Sequence, residues 1–194
     1  MFELNRAIAA SERGDTDRAL SLFQDYLTDN PDDATGHTFL ALTLLKTGQL
    51  FSAWEESRRA LAADPDLAMA HLVMAQVATF LNDPVQAEKS LENTLRIDPE
   101  NADALLTRCM GAMRDKDAVT LRSAARALLS KTPDDEMPYY FLSHAEMMSG
   151  NGQEAEELAR QALRIAPDDA RSHEAIGWAS VSYTHLTLPT ILLV

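Results

Sequence analysis

The chain has 194 residues, of which 46% are hydrophobic and 24% charged, a composition typical of a globular protein rather than a disordered or fibrous one. Its 30 acidic and 17 basic residues leave a net charge of −13, which argues against a nucleic-acid ligand because phosphate binding requires clustered Lys and Arg. A single cysteine excludes an intramolecular disulfide framework, and the absence of an uncharged apolar run of 18 residues predicts no insertion into a membrane.

The first ten residues do not read as a secretory signal. Glu3 and Arg6 interrupt the stretch in which a signal peptide needs an unbroken apolar run. The lone Cys109 also favours a reducing environment. We therefore expect a cytoplasmic location.

Five prolines recur every 34 residues along the chain, at Pro31, Pro65, Pro99, Pro133 and Pro167. A period of 34 is the length of a helix–turn–helix repeat, in which a first helix, a short turn and a second helix form one unit. The register predicts units at approximately 1–33, 34–67, 68–101, 102–135 and 136–169, with a partial sixth unit at 170–180. Since no linker interrupts them, we predict one all-α domain over residues 1–180.

Acidic residues cluster beside these prolines. Twelve of the 30 stand there, among them Asp33, Asp98 and Asp135. Carboxylates at such places are expected to cap the next helix and to face its positive dipole end, each contributing about 0.3–1 kcal/mol. The net charge is therefore interpreted as helix capping more than as a signal for a basic partner.

Further 34-residue series run in phase with the prolines. The turn inside each unit holds a residue suited to a left-handed helix end, which glycine and then asparagine adopt most easily. The second helix carries a small residue that allows close helix packing. The two series are Gly14, Gly48, Asn82, Lys116 and Gly150, and Ala19, Ala53, Ala87, Leu121 and Ala155.

These series resemble a tetratricopeptide repeat array, whose pattern combines a large residue, Leu-Gly, an aromatic residue, Ala, Phe, Ala and Pro. The cleanest units are two, one with Gly48, Ala53, Ala60 and Pro65 and one with Gly150, Ala155, Ala162 and Pro167. The aromatic residue of the first helix is missing, and Ala10, Leu44, Ala78, Ala112, Glu146 and Ser180 stand in its place. The resemblance covers about residues 1–180 and implies a right-handed solenoid of antiparallel helix pairs, with five 34-residue units plus the first helix of a sixth.

The pattern stops after residue 180. Residues 181–194 contain no Asp, Glu, Lys or Arg, and Pro189 falls where a second helix would need a small residue. Three interpretations are open: a non-native segment resembling a translated sequencing adapter, an apolar tail that covers the end of the solenoid, and a sorting signal. Under the first, which we favour, the chain is a bacterial fragment truncated at its C-terminus.

The sequence offers no catalytic constellation. His37, His71 and His173 share one repeat position, so they are interpreted as packing residues rather than as metal ligands. Cys109 fills a small-residue position without a base in phase, and no glycine-rich phosphate loop is present. We expect no enzyme activity, no metal and no cofactor.

The resemblance implies a concave groove lined by residues of the first helices. Of the positions with which chaperone-binding members hold a peptide carboxylate, only Asn5 has a suitable type, which disfavours a chaperone adaptor. The implied wall is apolar and rich in methionine, which adapts to irregular apolar partners. The candidate groove residues are Leu72, Gln76, Phe80, Thr107, Met110, Arg114, Tyr140, His144 and Met148.

Three functions follow as hypotheses. The first is a non-enzymatic protein interaction scaffold that binds a peptide or an amphipathic helix in the groove, with His144 as a group that makes binding sensitive to pH. The second is the regulatory or recruiting arm of a larger enzyme or membrane-associated assembly factor, whose effector lies beyond residue 180. The third is self-association through Ile176 and Trp178 at the open end of the array.

Overall fold

The computed structural model describes residues 2–177, and these residues form α-helices joined by short turns, without a β-strand among them. The helices pair along the chain, the first of each pair having 11–13 residues and the second 14. Their bounds are α1 (Phe2–Glu12), α2 (Thr16–Asp29), α3 (Ala34–Lys46), α4 (Leu50–Ala63), α5 (Ala68–Phe80), α6 (Pro84–Ile97), α7 (Ala102–Arg114), α8 (Ala118–Lys131), α9 (Glu136–Met148), α10 (Gly152–Ile165) and α11, helical over residues 170–177. The predicted all-α fold is confirmed.

Aspartates fix where several of these helices begin. The Asp33 carboxylate accepts the Thr35 backbone N–H at 2.9 Å at the start of α3. Asp135 accepts the Met137 N–H at 3.0 Å at the start of α9. Each satisfies a backbone donor that has no partner inside the helix. The prediction that acids beside the prolines cap the next helix is confirmed at these positions.

The turn inside each pair depends on one left-handed residue. Its φ is 77° at Gly14, 75° at Gly48, 60° at Asn82, 58° at Lys116 and 81° at Gly150. A left-handed backbone ends the first helix and directs the chain into the second. The series predicted from the sequence is therefore confirmed, and Lys116 adopts the same conformation although its side chain suits it poorly.

The chain divides into two compact units, Met1–Ala104 and Leu105–Val194. In the first, α1 packs on α2, α3 on α4 and α5 on α6, while the first helices stack in the order α1, α3, α5. Its core includes Phe23, Val73 and Val77, all within 2% of complete burial. In the second unit, α9 packs against both α8 and α10.

Small residues line the second helices as the sequence predicts. Ala19, Ala53 and Ala155 are fully buried, and Leu121 is equally buried although it is the one large member of the series. Helix α8 thus fits a leucine where its counterparts hold alanine. None of the helices described for residues 2–177 has the length and apolar character needed to cross a bilayer.

Candidate functional site

The candidate groove residues occupy one side of each of three first helices. On α5 they are Leu72, Gln76 and Phe80, and on α9 they are Tyr140, His144 and Met148. Both sets are spaced by four, which places their side chains one above another on a helix. Thr107, Met110 and Arg114 follow a similar spacing along α7. The α5 set lies in the first unit and the others lie in the second.

Exposure rises along each helix toward its C-terminal end. Leu72 is only 8% exposed and packs with Ala75 and Leu91, whereas Phe80 at the end of α5 is 62% exposed. Thr107 is 6% exposed, whereas Met110 is 45% exposed. Leu72 and Thr107 therefore offer little surface to a ligand. The accessible apolar surface lies near the turn that joins the first and second helices of a pair.

The α9 residues form an aromatic cluster that α11 partly covers. The Tyr140 ring meets the His144 ring edge-on, with centroids 4.6 Å apart. The Arg171 guanidinium of α11 lies 5.9 Å from the Tyr140 ring centroid and forms a 3.2 Å ion pair with Glu136. Tyr140 and His144 are half-buried, while Met148 at the C-terminal end of α9 is 37% exposed.

Burial also shifts the acid–base behaviour of this cluster. Desolvation lowers the pKa of His144, an effect that the nearby negative charge of Glu174 only partly opposes. Desolvation likewise raises the pKa of the Tyr140 hydroxyl. The lowered pKa of His144 favours the neutral ring at physiological pH, so this residue takes up a proton only under more acidic conditions than a free histidine does.

The position of the missing first-helix aromatic holds a buried ion pair in α9. Glu146 is 3% exposed, and its carboxylate accepts hydrogen bonds from Arg122 Nε at 2.5 Å and Nη2 at 3.1 Å. Asn151 Nδ2 donates to the same carboxylate at 2.6 Å, and Arg122 also donates to Ser149 Oγ at 2.6 Å. This network was not predicted from the sequence, although a carboxylate at an aromatic position was a visible signal.

A second feature missed from the sequence is a series of exposed apolar residues. Phe51, Val85 and Val119 recur every 34 residues at the second position of α4, α6 and α8, and all three are exposed. The same period that revealed the small residues would have revealed these. Exposure cannot be read from periodicity alone, because a buried and an exposed apolar series look alike in a sequence.

The three periodic histidines share one hydrogen bond. Each ring places Nε2 near the carbonyl oxygen of the proline six residues earlier, at 2.8 Å for His37, 2.9 Å for His71 and 2.8 Å for His173. Since a carbonyl accepts, Nε2 donates in each case. Packing, the role predicted from the sequence, fits the buried His37, whereas His71 is half-buried and His173 is exposed. What the three share is a bond that ties the turn to the helix after it.

His37 has an additional partner beside a cleft of about 710 Å³ between α2, α3 and α4. Its Nδ1 lies 2.6 Å from Glu56 Oε2, and the other carboxylate oxygen of Glu56 accepts from Arg59 at 2.8 Å. Leu40 and Leu44 lie along the same cleft. Glu56 and Arg59 thus form an ion pair on the wall of this cleft.

Nothing in residues 2–177 assembles three or more His, Cys, Asp or Glu side chains in a metal-binding arrangement. Cys109 is fully buried, and desolvation raises the pKa of its thiol to about 12. A thiol of this kind is not a nucleophile at neutral pH, because the thiolate is the reactive form.

The sequence is similar to known repeat proteins. The family model for the tetratricopeptide repeat matches residues 4–68. The TPR repeat-containing protein PA4667 of Pseudomonas aeruginosa is 28% identical over 186 residues, which take in 91% of this chain and 30% of that protein. This chain therefore spans less than a third of the length of the curated relative.

Solved structures share the arrangement of helices. TTC0263, a thermophilic TPR protein of Thermus thermophilus, matches with a TM-score of 0.70 at 22% identity, covering 92% of this chain and 97% of that chain. The described residues therefore have a tetratricopeptide repeat fold. Among other TPR structures, YrrB matches with a TM-score of 0.73 at 18% identity, covering 89% of both chains. MamA matches with a TM-score of 0.74 at 18% identity, covering 88% of this chain and 93% of that chain.

The resemblance to a tetratricopeptide repeat array is confirmed, while the bacterial origin of the chain, its truncation and the single domain over 1–180 stay predictions. Ile176 is half-buried on α11. Trp178 and the segment 181–194 lie outside the described residues, and the interpretations of that segment stay open.

Proposed function

We propose that the chain is a non-enzymatic scaffold that binds a peptide or an amphipathic helix along the candidate groove residues. The tetratricopeptide repeat fold is consistent with a protein–protein interaction scaffold, and such proteins are generally not enzymes. The observation that carries the proposal is the exposure of large apolar side chains, Phe80, Met110 and Met148, in the C-terminal halves of α5, α7 and α9. A cytoplasmic location remains part of the proposal.

The chemistry of these side chains suits an apolar helix face. Burying a phenylalanine or methionine side chain against a partner contributes about 1.5–3 kcal/mol. Methionine has a flexible thioether chain that adjusts to partners of different shape. Gln76 in the first unit, and Arg114 and His144 in the second, would supply polar contacts to a ligand bound on their own unit. YrrB is described as a TPR protein with an unusual peptide-binding site, so peptide binding has a precedent in this fold.

The test begins with peptides selected from a displayed library against the whole chain. Their affinities are then measured by fluorescence anisotropy for the wild type, Phe80→Asp and Met148→Asp. Introducing a carboxylate into a buried apolar contact should weaken binding by roughly tenfold or more, because tenfold corresponds to about 1.4 kcal/mol. Circular dichroism checks that helicity is unchanged.

Two exposed apolar residues outside the candidate groove serve as matched controls. Phe51, 80% exposed on α4, is the control for Phe80 in the first unit, and Val119 on α8 is the control for Met148 in the second. Phe51→Asp and Val119→Asp should leave the dissociation constant within about twofold. Selected peptides that bind Phe80→Asp and Met148→Asp as tightly as the wild type would show that the groove is not the site.

A second candidate function is the regulatory or recruiting arm of a larger protein. The specific observation in its favour is length, since the alignment covers 91% of this chain but only 30% of the curated relative. The intact coding sequence decides between the two. An enzymatic or membrane-associated segment beyond residue 180 would support the arm, and a stop codon after one capping helix would contradict it.

A further inference from the structure

A depression on the first helix pair concentrates positive charge in an acidic unit. Residues 1–104 carry 18 Asp and Glu against 8 Lys and Arg, a net charge of −10. Three of those eight cations, Arg6, Arg13 and Arg18, line one depression of about 220 Å³ between α1 and α2. Phe2, Asn5, Ala9 and Leu22 complete its wall, and none of the lining residues is acidic.

Local electrostatics explain this cluster only in part. Arg13 follows the C-terminal end of α1, where a cation meets the negative end of the helix dipole. Arg18, however, lies in the first turn of α2, where the dipole disfavours a cation. Its ion pair with Asp15 is 3.9 Å long and exposed, so this pair contributes little. Helix stability therefore does not account for all three arginines.

The guanidinium groups are available to a ligand. Within residues 2–177, neither Arg6 nor Arg13 forms an ion pair, and Arg6 is instead held with its guanidinium 6.0 Å from the Phe2 ring centroid. Arginine presents planar donors that match a carboxylate in two parallel hydrogen bonds. Phe2 and Leu22 add an apolar surface next to these donors.

We propose that this depression, the arginine face, is a docking site for an acidic peptide that carries glutamate or aspartate side chains beside one apolar residue. Charge complementarity selects the carboxylates, since the rest of the unit repels them. The volume of about 220 Å³ fits a side chain or two rather than a nucleotide. This site lies on α1 and α2, apart from the candidate groove residues, and does not depend on their proposed function.

The experiment measures fluorescence anisotropy of a fluorescein-labelled peptide, Glu-Glu-Leu-Glu-Glu, with the full chain at low and at physiological salt. A matched peptide in which glutamine replaces every glutamate should bind at least about tenfold more weakly. Arg6→Gln and Arg13→Gln should each weaken binding of the acidic peptide by roughly fivefold, and higher salt should weaken it further. Both residues are exposed, so neither change should alter the circular dichroism spectrum.

Two control variants test whether the arginine face itself holds the peptide. Arg58→Gln removes an exposed arginine of α4 that pairs with Glu55, and it should leave the affinity within about twofold. Phe80→Asp should also leave it unchanged, since Phe80 belongs to the candidate groove. Equal binding by Arg6→Gln, Arg13→Gln and the wild type would overturn the proposal, as would loss of binding in Phe80→Asp alone.

Other occupants give distinguishable results. If a second copy covers the arginine face, sedimentation will show a dimer that Arg13→Gln dissociates, and the acidic peptide will not bind at millimolar concentration. If the face serves polyanions, a single-stranded oligonucleotide will bind more tightly than the peptide, with the same loss in the arginine variants. Either result would overturn the assignment to an acidic peptide.

Discussion

The ion pair between Arg122 and Glu146 should stabilise the second unit far more than an exposed pair does. The Glu146 side chain is 4% exposed, and Arg122 and Asn151 together donate three hydrogen bonds to its carboxylate. The pair joins α8 to α9, which are neighbouring helices of different repeats. Replacing either partner leaves the other in a site that water reaches poorly.

The size of the expected loss in the free energy of unfolding follows from this burial. Breaking a fully buried ion pair costs about 3–5 kcal/mol, because one charge is left without compensation. The Arg122 side chain is 24% exposed and can turn toward water when Glu146 is removed, so the cost should be lower. We expect Glu146→Gln to lower the free energy of unfolding by about 2–3 kcal/mol and the double-mutant coupling with Arg122→Met to be about 2 kcal/mol.

The assay is urea unfolding followed by circular dichroism, applied to both single variants and the double variant. The Arg160–Glu156 pair of α10, four residues apart and largely exposed, is the matched control with an expected coupling of about 0.3–0.5 kcal/mol. If the coupling at Arg122–Glu146 is no larger than at Arg160–Glu156, burial does not strengthen this pair and the reasoning is refuted.

The same pair predicts a dependence on pH. The hydrogen bond from Arg122 lowers the pKa of Glu146, burial opposes it, and the bond from Asn151 lowers it further. A lowered carboxyl pKa contributes stability that is complete above the unfolded value of about 4.3 and is lost as the pH falls through the folded value. The coupling should therefore be the same at pH 7 and pH 5 and should shrink below about pH 4.

Three further residues and the C-terminal segment give direct predictions. Lys116→Gly should raise the free energy of unfolding by about 0.5–1 kcal/mol in urea, since φ is 58° there, whereas Lys116→Ala should not. Asp117→Ala should lower it by about 1 kcal/mol through loss of the bonds to two backbone N–H groups, and Asp117→Asn should recover most of this. Cys109 should react with a thiol reagent at pH 8 only as fast as the protein unfolds, and rapid reaction would contradict its burial. Sedimentation with and without residues 170–194 tests self-association, and a dimer unchanged by the deletion would count against Ile176 and Trp178.

Much of the fold was predictable because a repeat forces the same local conformation at every turn. A glycine at residue 14, 48 or 150 is ambiguous alone, since glycine accepts many conformations. Five residues in phase, including Asn82 and Lys116, identify one left-handed turn, and the structure confirms all five. The capping role of the acids was predicted in the same way, because a carboxylate two or three residues before an unpaired backbone N–H at a helix start accepts a hydrogen bond from it.

The candidate groove was less predictable because the burial of each side chain depends on how neighbouring helices cover it. Leu72 and Phe80 occupy the same side of α5, yet one is buried against Leu91 and the other is exposed. Periodicity determines which side of a helix a residue takes and not how far the next helix covers it. The Arg122–Glu146 pair was missed for a related reason: its partners are 24 residues apart, a separation outside the 34-residue register.

The histidines show how a repeat can conceal a difference between equivalent positions. Each of the three histidines, His37, His71 and His173, donates Nε2–H to a proline carbonyl. The same hydrogen bond therefore links a member of the histidine series to a member of the proline series in three repeats. Leu105 and Tyr139, which fill the same position elsewhere, have no ring N–H to donate, so the bond is an addition to the turn and not a requirement of it. Within residues 2–177, His37 is the one of the three that also contacts a carboxylate, because the residue 19 positions later is Glu56, whereas His71 has Ser90 there. Because both ring nitrogens of His37 have a partner, its exchange for leucine should lower the free energy of unfolding more than the same exchange at His71, as measured by urea unfolding.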